Sequence, residues 1–309
     1  MLIPFGILSA AALVGRVAVA GYFGGGSTGT LQTTVDKFAF PADTRSTLAT
    51  GLSAATRFHA AMSDSGVAGY FGGGLASSSV TTVDKFAFPA DTRTTLGTGL
   101  SAATLALAAM ANSGTAGYFG GGDDGARTTT VNKFAFPADT RTTLATGLSS
   151  GRGELGGMAN FGVAGYFGGG NTGSSVTTVD KFAFPADTRT TLGTGLSSAA
   201  IGTYGMANNG IAGYFALGSV TVAVTTIDKF AFPADTRSTL GTGLSSTRAY
   251  GAGVGNTGVA GYFGGGDNGA IRIDTVDKFA FPADTRSTLA SGLSSARNQL
   301  AAMSNEGVF

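Results

Sequence analysis

The chain has 309 residues and a formal net charge of +1, with 12% of its residues charged, one histidine and no cysteine. This composition excludes a disulfide framework, thiolate chemistry and a histidine-built metal cluster, and it offers no basic stripe to neutralise nucleic-acid phosphates. Glycine is abundant at 52 residues, but 43% hydrophobic residues and 22 phenylalanines are ample to bury a core.

In chain order, the first element is the apolar stretch Met1 to Val14, MLIPFGILSAAALV. It lacks the basic start of a signal peptide and is short for a membrane span. Residues 1–16 therefore read as a docking or anchor peptide or a packed strand, with cleavage after Ala20 as the alternative. Residues 17–309 are periodic. Gly-Tyr-Phe-Gly-Gly-Gly begins at Gly21, Gly69, Gly117, Gly165 and Gly261, and Gly-Tyr-Phe-Ala-Leu-Gly begins at Gly213, at intervals of 48 residues. A fixed period in this range signals a solenoid or a propeller.

One unit, residues 150–197, shows how the period is built. Strands are expected at Glu154 to Ala159, Val163 to Gly169, Thr177 to Phe184 and Thr190 to Leu196, separated by turn signals. Pro185-Ala186-Asp187-Thr188 reverses the chain, because proline presets a turn φ and Asp bonds nearby backbone N–H groups. Small residues in the first strand, such as Ala60-Ala61 and Gly156-Gly157, suit strands crowded around an axis. Four short antiparallel strands repeated six times predict an all-β, six-bladed β-propeller. Two segments compete for the innermost strand of the first blade, Ala10 to Gly15 and Asn298 to Ser304. Leu300-Ala301-Ala302-Met303 matches the other inner strands better, so the ring is expected to close by pairing N- and C-terminal strands.

Arg152, Tyr166, Phe167, Gly169, Gly170, Phe182 and Phe184 are spaced as in a kelch repeat, which this unit resembles over roughly residues 20–308. The resemblance implies a propeller of kelch-like four-stranded blades, as in the galactose oxidase catalytic domain. It departs from that family at Leu192, where a Trp is expected. The wording KFAFPADTRTTLGTGLS also resembles repetitive structural proteins of marine bacteriophages, particularly those of cyanobacteria. That resemblance implies a virion component, a tail, fibre or decoration protein, whose partners are other virion proteins or a host surface glycan or protein.

The six copies differ unevenly. The PADTR turn recurs at Pro41, Pro89, Pro137, Pro185, Pro233 and Pro282. The links between strands two and three, and those between blades, vary freely. In a meander both variable classes fall on one face of the disc, where loops on a rigid scaffold commonly carry binding. The candidate binding surface there comprises Arg57, His59, Asp123, Asp124, Arg127, Arg152, Glu154, Tyr204, Val222, Arg248, Tyr250, Asp267, Asn268, Arg272 and Arg297. Drift in loops that touch nothing is the competing explanation.

Arg152, Arg248 and Arg297 share one repeat position, and Arg57 lies one residue further on. A sialidase-like carboxylate clamp is one reading of such arginines, and the structural arginine of the kelch pattern is the other. Only two glutamates exist, Glu154 and Glu306, so no acid–base pair presents itself and no enzyme is expected. Asp123-Asp124 and Asp267-Asn268 read as solvated turns, since calcium needs six to eight oxygens. No cofactor or metal is expected. In the fifth unit Ala216-Leu217 replaces two glycines, and the apolar loop Val220 to Val224 that follows is a candidate contact in a homo-oligomer.

Overall fold

The computed structural model describes residues 20–306, which form six four-stranded antiparallel sheets and no helix. Residues 1–16, including Ala10 to Gly15, lie outside the described residues. The second blade is representative. From the axis outward it runs Ala60–Asp64, Ala68–Gly72, Val83–Ala87 and Thr92–Thr95. The first blade is composite: Ala301–Ser304 supplies its inner strand and pairs with Ala20–Gly24, ahead of Val35–Ala39 and Thr44–Thr47. Ala301–Ser304 also contacts Ala60–Asp64 on one side and Ala252–Asn256 on the other, so the inner strands form a closed ring. That pairing removes the unpaired edge an open ring would carry.

Side-chain alternation explains why these sequences make wedge-shaped blades. Successive strand residues point to opposite faces. Tyr22 therefore stacks on Phe88 of the next blade, with centroids 5.2 Å apart, while Phe23 points back to the sixth blade against Gly264. Met62 reaches the third blade and lies against Gly117. Near the axis the constraint is tighter. A Cβ on Gly157 would run into the Ala109 carbonyl, and one on Gly205 would meet that of Gly157. The outermost strand of each blade is only four residues long, Thr- and Arg-rich and mostly exposed, which blunts the outer edge.

The expected Thr190 to Leu196 strand is shorter and earlier, at Thr188–Thr191. Its register explains this: Thr191 pairs with Asp180, and Leu192 makes one last bond to the Val179 carbonyl, at the end of the third strand. Beyond it the chain must return to the axis, and Gly195 passes so close to the Thr177 carbonyl that a Cβ would collide.

The face carrying the PADTR turns is bonded identically all the way round. Asp91 accepts from Tyr22 Oη at 2.8 Å and from Lys37 Nζ at 2.6 Å, tying the first blade to the second. Asp139, Asp187, Asp235 and Asp284 repeat the pattern, and Asp43 closes it with Tyr262 and Lys278. Burial, reinforced by the bonded carboxylate, pushes each of these phenols far above its ordinary pKa, so each remains a donor. The turn Asp residues sit at φ of 55 or 56°, a left-handed conformation that Asp tolerates better than most residues.

Candidate functional site

On the opposite face, the chain entering each blade passes the axis through one left-handed residue. These residues are Gln299, Phe58, Ala106, Glu154, Gly202 and Tyr250, with φ between 56 and 60°. Their backbones form a closed hydrogen-bonded circle. Phe58 N–H donates to Gln299 O, Ala106 to Phe58, Glu154 to Ala106, Gly202 to Glu154, Tyr250 to Gly202 and Gln299 to Tyr250, at 2.7–3.0 Å. Six otherwise unpaired backbone donors near the axis are thereby satisfied. The circle rims an axial cavity of ≈ 640 Å³, counted with its open mouth, whose walls are the small residues of the inner strands.

The side chains at this rim differ in every blade. Phe58 and Tyr250 meet edge to face with centroids 5.8 Å apart. Tyr250 lies across Gly202, where a Cβ would collide with its ring, and donates to Glu154 Oε2 at 3.1 Å. Burial first, then the Glu154 carboxylate, pushes the Tyr250 phenol well above its ordinary range, so it stays protonated. Arg57 lies just outside the circle. Its guanidinium sits 5.4 Å from the Phe58 centroid and donates to Gln299 Oε1 at 3.2 Å. Among the described residues neither Arg57 nor Glu154 has an ion-pair partner within 4.0 Å. The mouth thus presents a cation, an anion and two aromatic rings, with neither charge neutralised by an ion pair among the described residues.

The structure brings Arg57, Glu154 and Tyr250 together, as candidates chosen from the sequence, and adds Phe58 and Gln299. Those two were missed because their left-handed backbone carries no composition signal. Their repeat position was the available clue, since both align with Glu154 and Tyr250.

Five other candidates are corrected. Arg152, Arg248 and Arg297 are fully buried and cannot meet a ligand on the face. Each turns inward to a third-strand carboxylate of its own blade: Arg152 to Asp180 at 2.9 Å, Arg297 to Asp36 at 3.0 Å, and Arg248 to Asp277. Each also donates to a second-strand carbonyl, of Phe167, Phe23 and Phe263 respectively. The single-residue offset of Arg57 is what places it at the rim instead. Asp180 illustrates the balance of forces. Burial opposes its ionisation, but bonds from Ser149 and Thr191 and the Arg152 charge outweigh it and hold its pKa below the usual range. Tyr204 is also buried, packed edge to face on Phe263 between blades five and six, and it meets the axial cavity only as part of its wall, not at the rim.

His59 is the fifth correction. It takes a position held by Leu107, Leu155 and Leu300 in other blades, packs on Phe71 and is 5% exposed. Burial is the main cause that pushes its imidazole down to about 4, against the opposing bond to Gly24, so the ring is neutral at pH 7.

The loops outside the rim carry the remaining candidates. Asp123 accepts from Gly125 N–H at 3.0 Å and pairs with Arg127 at 2.6 Å. Asp267 accepts from Gly269 N–H and from Asn298, and Asn268 caps its own loop at Ala270 and Ile271. These carboxylates hold their loops in shape. Asp124, Arg272, Ile271 and Val222 are exposed, Val222 at 71%. No three His, Cys, Asp or Glu side chains converge as a metal site among the described residues, and no helix there is long and apolar enough to cross a membrane.

No protein-family model matches the chain, and no curated protein does. Among solved structures the chain is similar to YjhT, with a TM-score of 0.68 at 13% identity, over 89% of this chain and 99% of that one. At that identity the likeness is one of fold: the chain is a six-bladed β-propeller.

Proposed function

We propose that the chain is a non-enzymatic recognition scaffold serving as a virion structural or adsorption protein, with the axial mouth as its ligand-contacting centre. The observation that carries this reading is the contrast at the rim. Arg57 and Glu154 carry charges left unpaired beside Phe58 and Tyr250, while every PADTR-face Asp is committed to its Tyr and Lys. An unpaired guanidinium favours a carboxylate or other oxygen-rich group. A carboxylate accepts from sugar hydroxyls, and aromatic faces stack on apolar ring surfaces. A host surface glycan fits that chemistry. The virion setting is supported by the repeat wording, which resembles repetitive phage structural proteins, and the kelch-like spacing supports the scaffold role.

An extracellular carbohydrate-binding module is the second reading, favoured by the same rim. A glycan array with wild type, Arg57→Ala and Glu154→Gln tests the mouth. Signal should fall at least tenfold in both variants, which corresponds to about 1.4 kcal/mol. Undiminished binding in both would exclude the mouth. Mass spectrometry of purified particles separates the two settings, since a virion protein must be present in them.

A further inference from the structure

The three buried Arg–Asp pairs imply a question about the blades that lack the arginine. At that position the second, third and fifth blades have Thr56, Thr104 and Ala200. The third blade also loses the carboxylate, since Asn132 replaces the third-strand Asp. The fifth keeps Asp228, but there Leu217, in place of a glycine, joins Leu196, Ala200 and Phe215 in one buried apolar cluster. The second blade does neither. Asp84 is retained, Gly73 is retained, and a cavity lies between them.

That cavity is lined by Thr56, His59, Phe71, Gly73, Thr82 and Asp84, among others, and the exposed Ser53 and Ala54 stand at its edge. The space open to the centre of a water-sized sphere is ≈ 20 Å³, more than the ~10–15 Å³ that a single water needs. Asp84 is held as its counterparts are, by Ser53 N–H at 2.7 Å, Ser53 Oγ at 2.8 Å and Thr95 Oγ1 at 2.6 Å. Asp180 receives the same bonds from Ser149 and Thr191 and accepts a guanidinium as well.

His59 supplies the second observation. Its Nε2 bonds the Gly24 carbonyl at 3.1 Å. A carbonyl only accepts, so Nε2 carries the hydrogen and Nδ1 of the neutral ring presents a lone pair. That Nδ1 is buried and has no partner among the described residues. Asp84 and His59 both line the cavity, and each carries an acceptor.

We infer that the second blade binds a small planar cation of the guanidinium class beside Asp84, in the place where three other blades hold an arginine side chain. The Asp84 Oδ1 also lies 3.6 Å from the partly exposed Arg93 guanidinium, while its Oδ2 corresponds to the oxygen that meets the arginine in the other blades. That carboxylate and an imidazole lone pair select a hydrogen-bond donor of positive charge. The guanidinium class follows from the chain's own template, in which the Nη2 of an arginine bonds both the third-strand carboxylate and a second-strand carbonyl. A transition metal is a poorer match, with only one His and one Asp on the wall.

The test is a titration of wild type with guanidinium chloride at low-millimolar concentration, far below the molar range in which it denatures, against sodium, potassium and ammonium chloride. The expected result is a rise in Tm of about 3 °C at ten times the dissociation constant. The sole histidine should show a saturable shift of its ring NMR signals over the same range. Thr56→Arg, which fills the cavity from within, should abolish both responses. Asp84→Asn, which reproduces the Thr/Asn combination of the third blade, should weaken them at least tenfold and guards against misfolding of the first variant. An equal response to potassium or ammonium, a response surviving in Thr56→Arg, or no movement of the His59 signals would each overturn the assignment.

Discussion

The two faces of the disc are made from the same six repeats, yet they are held together in opposite ways. On the PADTR face one solution is used six times: an Asp in a left-handed turn receives a Tyr and a Lys from the preceding blade. On the other face the backbone circle is uniform, but side chains at each position differ from blade to blade. At the buried arginine position there are four arrangements, Arg with Asp, Thr with Asn, Ala with Asp and Leu217, and Thr with Asp and a cavity. Uniform bonding leaves no position free to specialise. Where the backbone alone closes the ring, side chains are released for other uses.

The sharpest test compares one position across blades. Arg152→Ala leaves Asp180 buried beside a lost cation and should cost about 3–5 kcal/mol in chemical denaturation. Thr104→Ala, at the same repeat position, removes a bond to the Ala102 carbonyl and should cost about 1 kcal/mol. Equal costs would mean that the arginine pairs are not specific to their blades. Arg152→Ala with Asp180→Asn should recover much of the loss, because the third blade lives with that kind of pair.

Next in size is the acid response of His59. Its pKa lies near 4 in the fold against 6.5 unperturbed, so the unfolded chain binds the extra proton first. Stability from the neutral ring is fully present above about 6.5 and is lost as pH falls toward 4, amounting to about 3 kcal/mol at the acid end. His59→Leu, the residue used in three other blades, should remove that slope. The comparison is of the two stability-versus-pH curves, and parallel curves would contradict the assignment.

The smallest effects belong to the uniform face. Asp187→Asn should cost about 1–3 kcal/mol, since Tyr118 and Lys133 lose a charged acceptor. The Lys is partly exposed, which places the cost toward the lower end. Asp139→Asn should match it within about 0.5 kcal/mol, because the two sites are copies. A larger difference would show that the face is less uniform than its geometry.

Much of the fold was legible in the chain itself. The 48-residue interval, the turn signals and the hydrophobic alternation are local properties repeated six times, so strand number, blade number and the division into two faces follow from them. The C-terminal inner strand was legible for the same reason, because Leu300 to Met303 repeats a wording already met in other blades. The site was only half legible. Arg57 and Arg152 look alike in sequence, yet one residue of offset places the first at an open rim and the second in the core, and only the left-handed backbone decides which. Leu217 and Ala200 compensate for each other across 17 residues, and the cavity beside Asp84 is bounded by three separate segments. Periodicity is written along the chain, but free volume and the direction of a charge depend on atoms brought together from distant parts of it, and only the packed ring defines them.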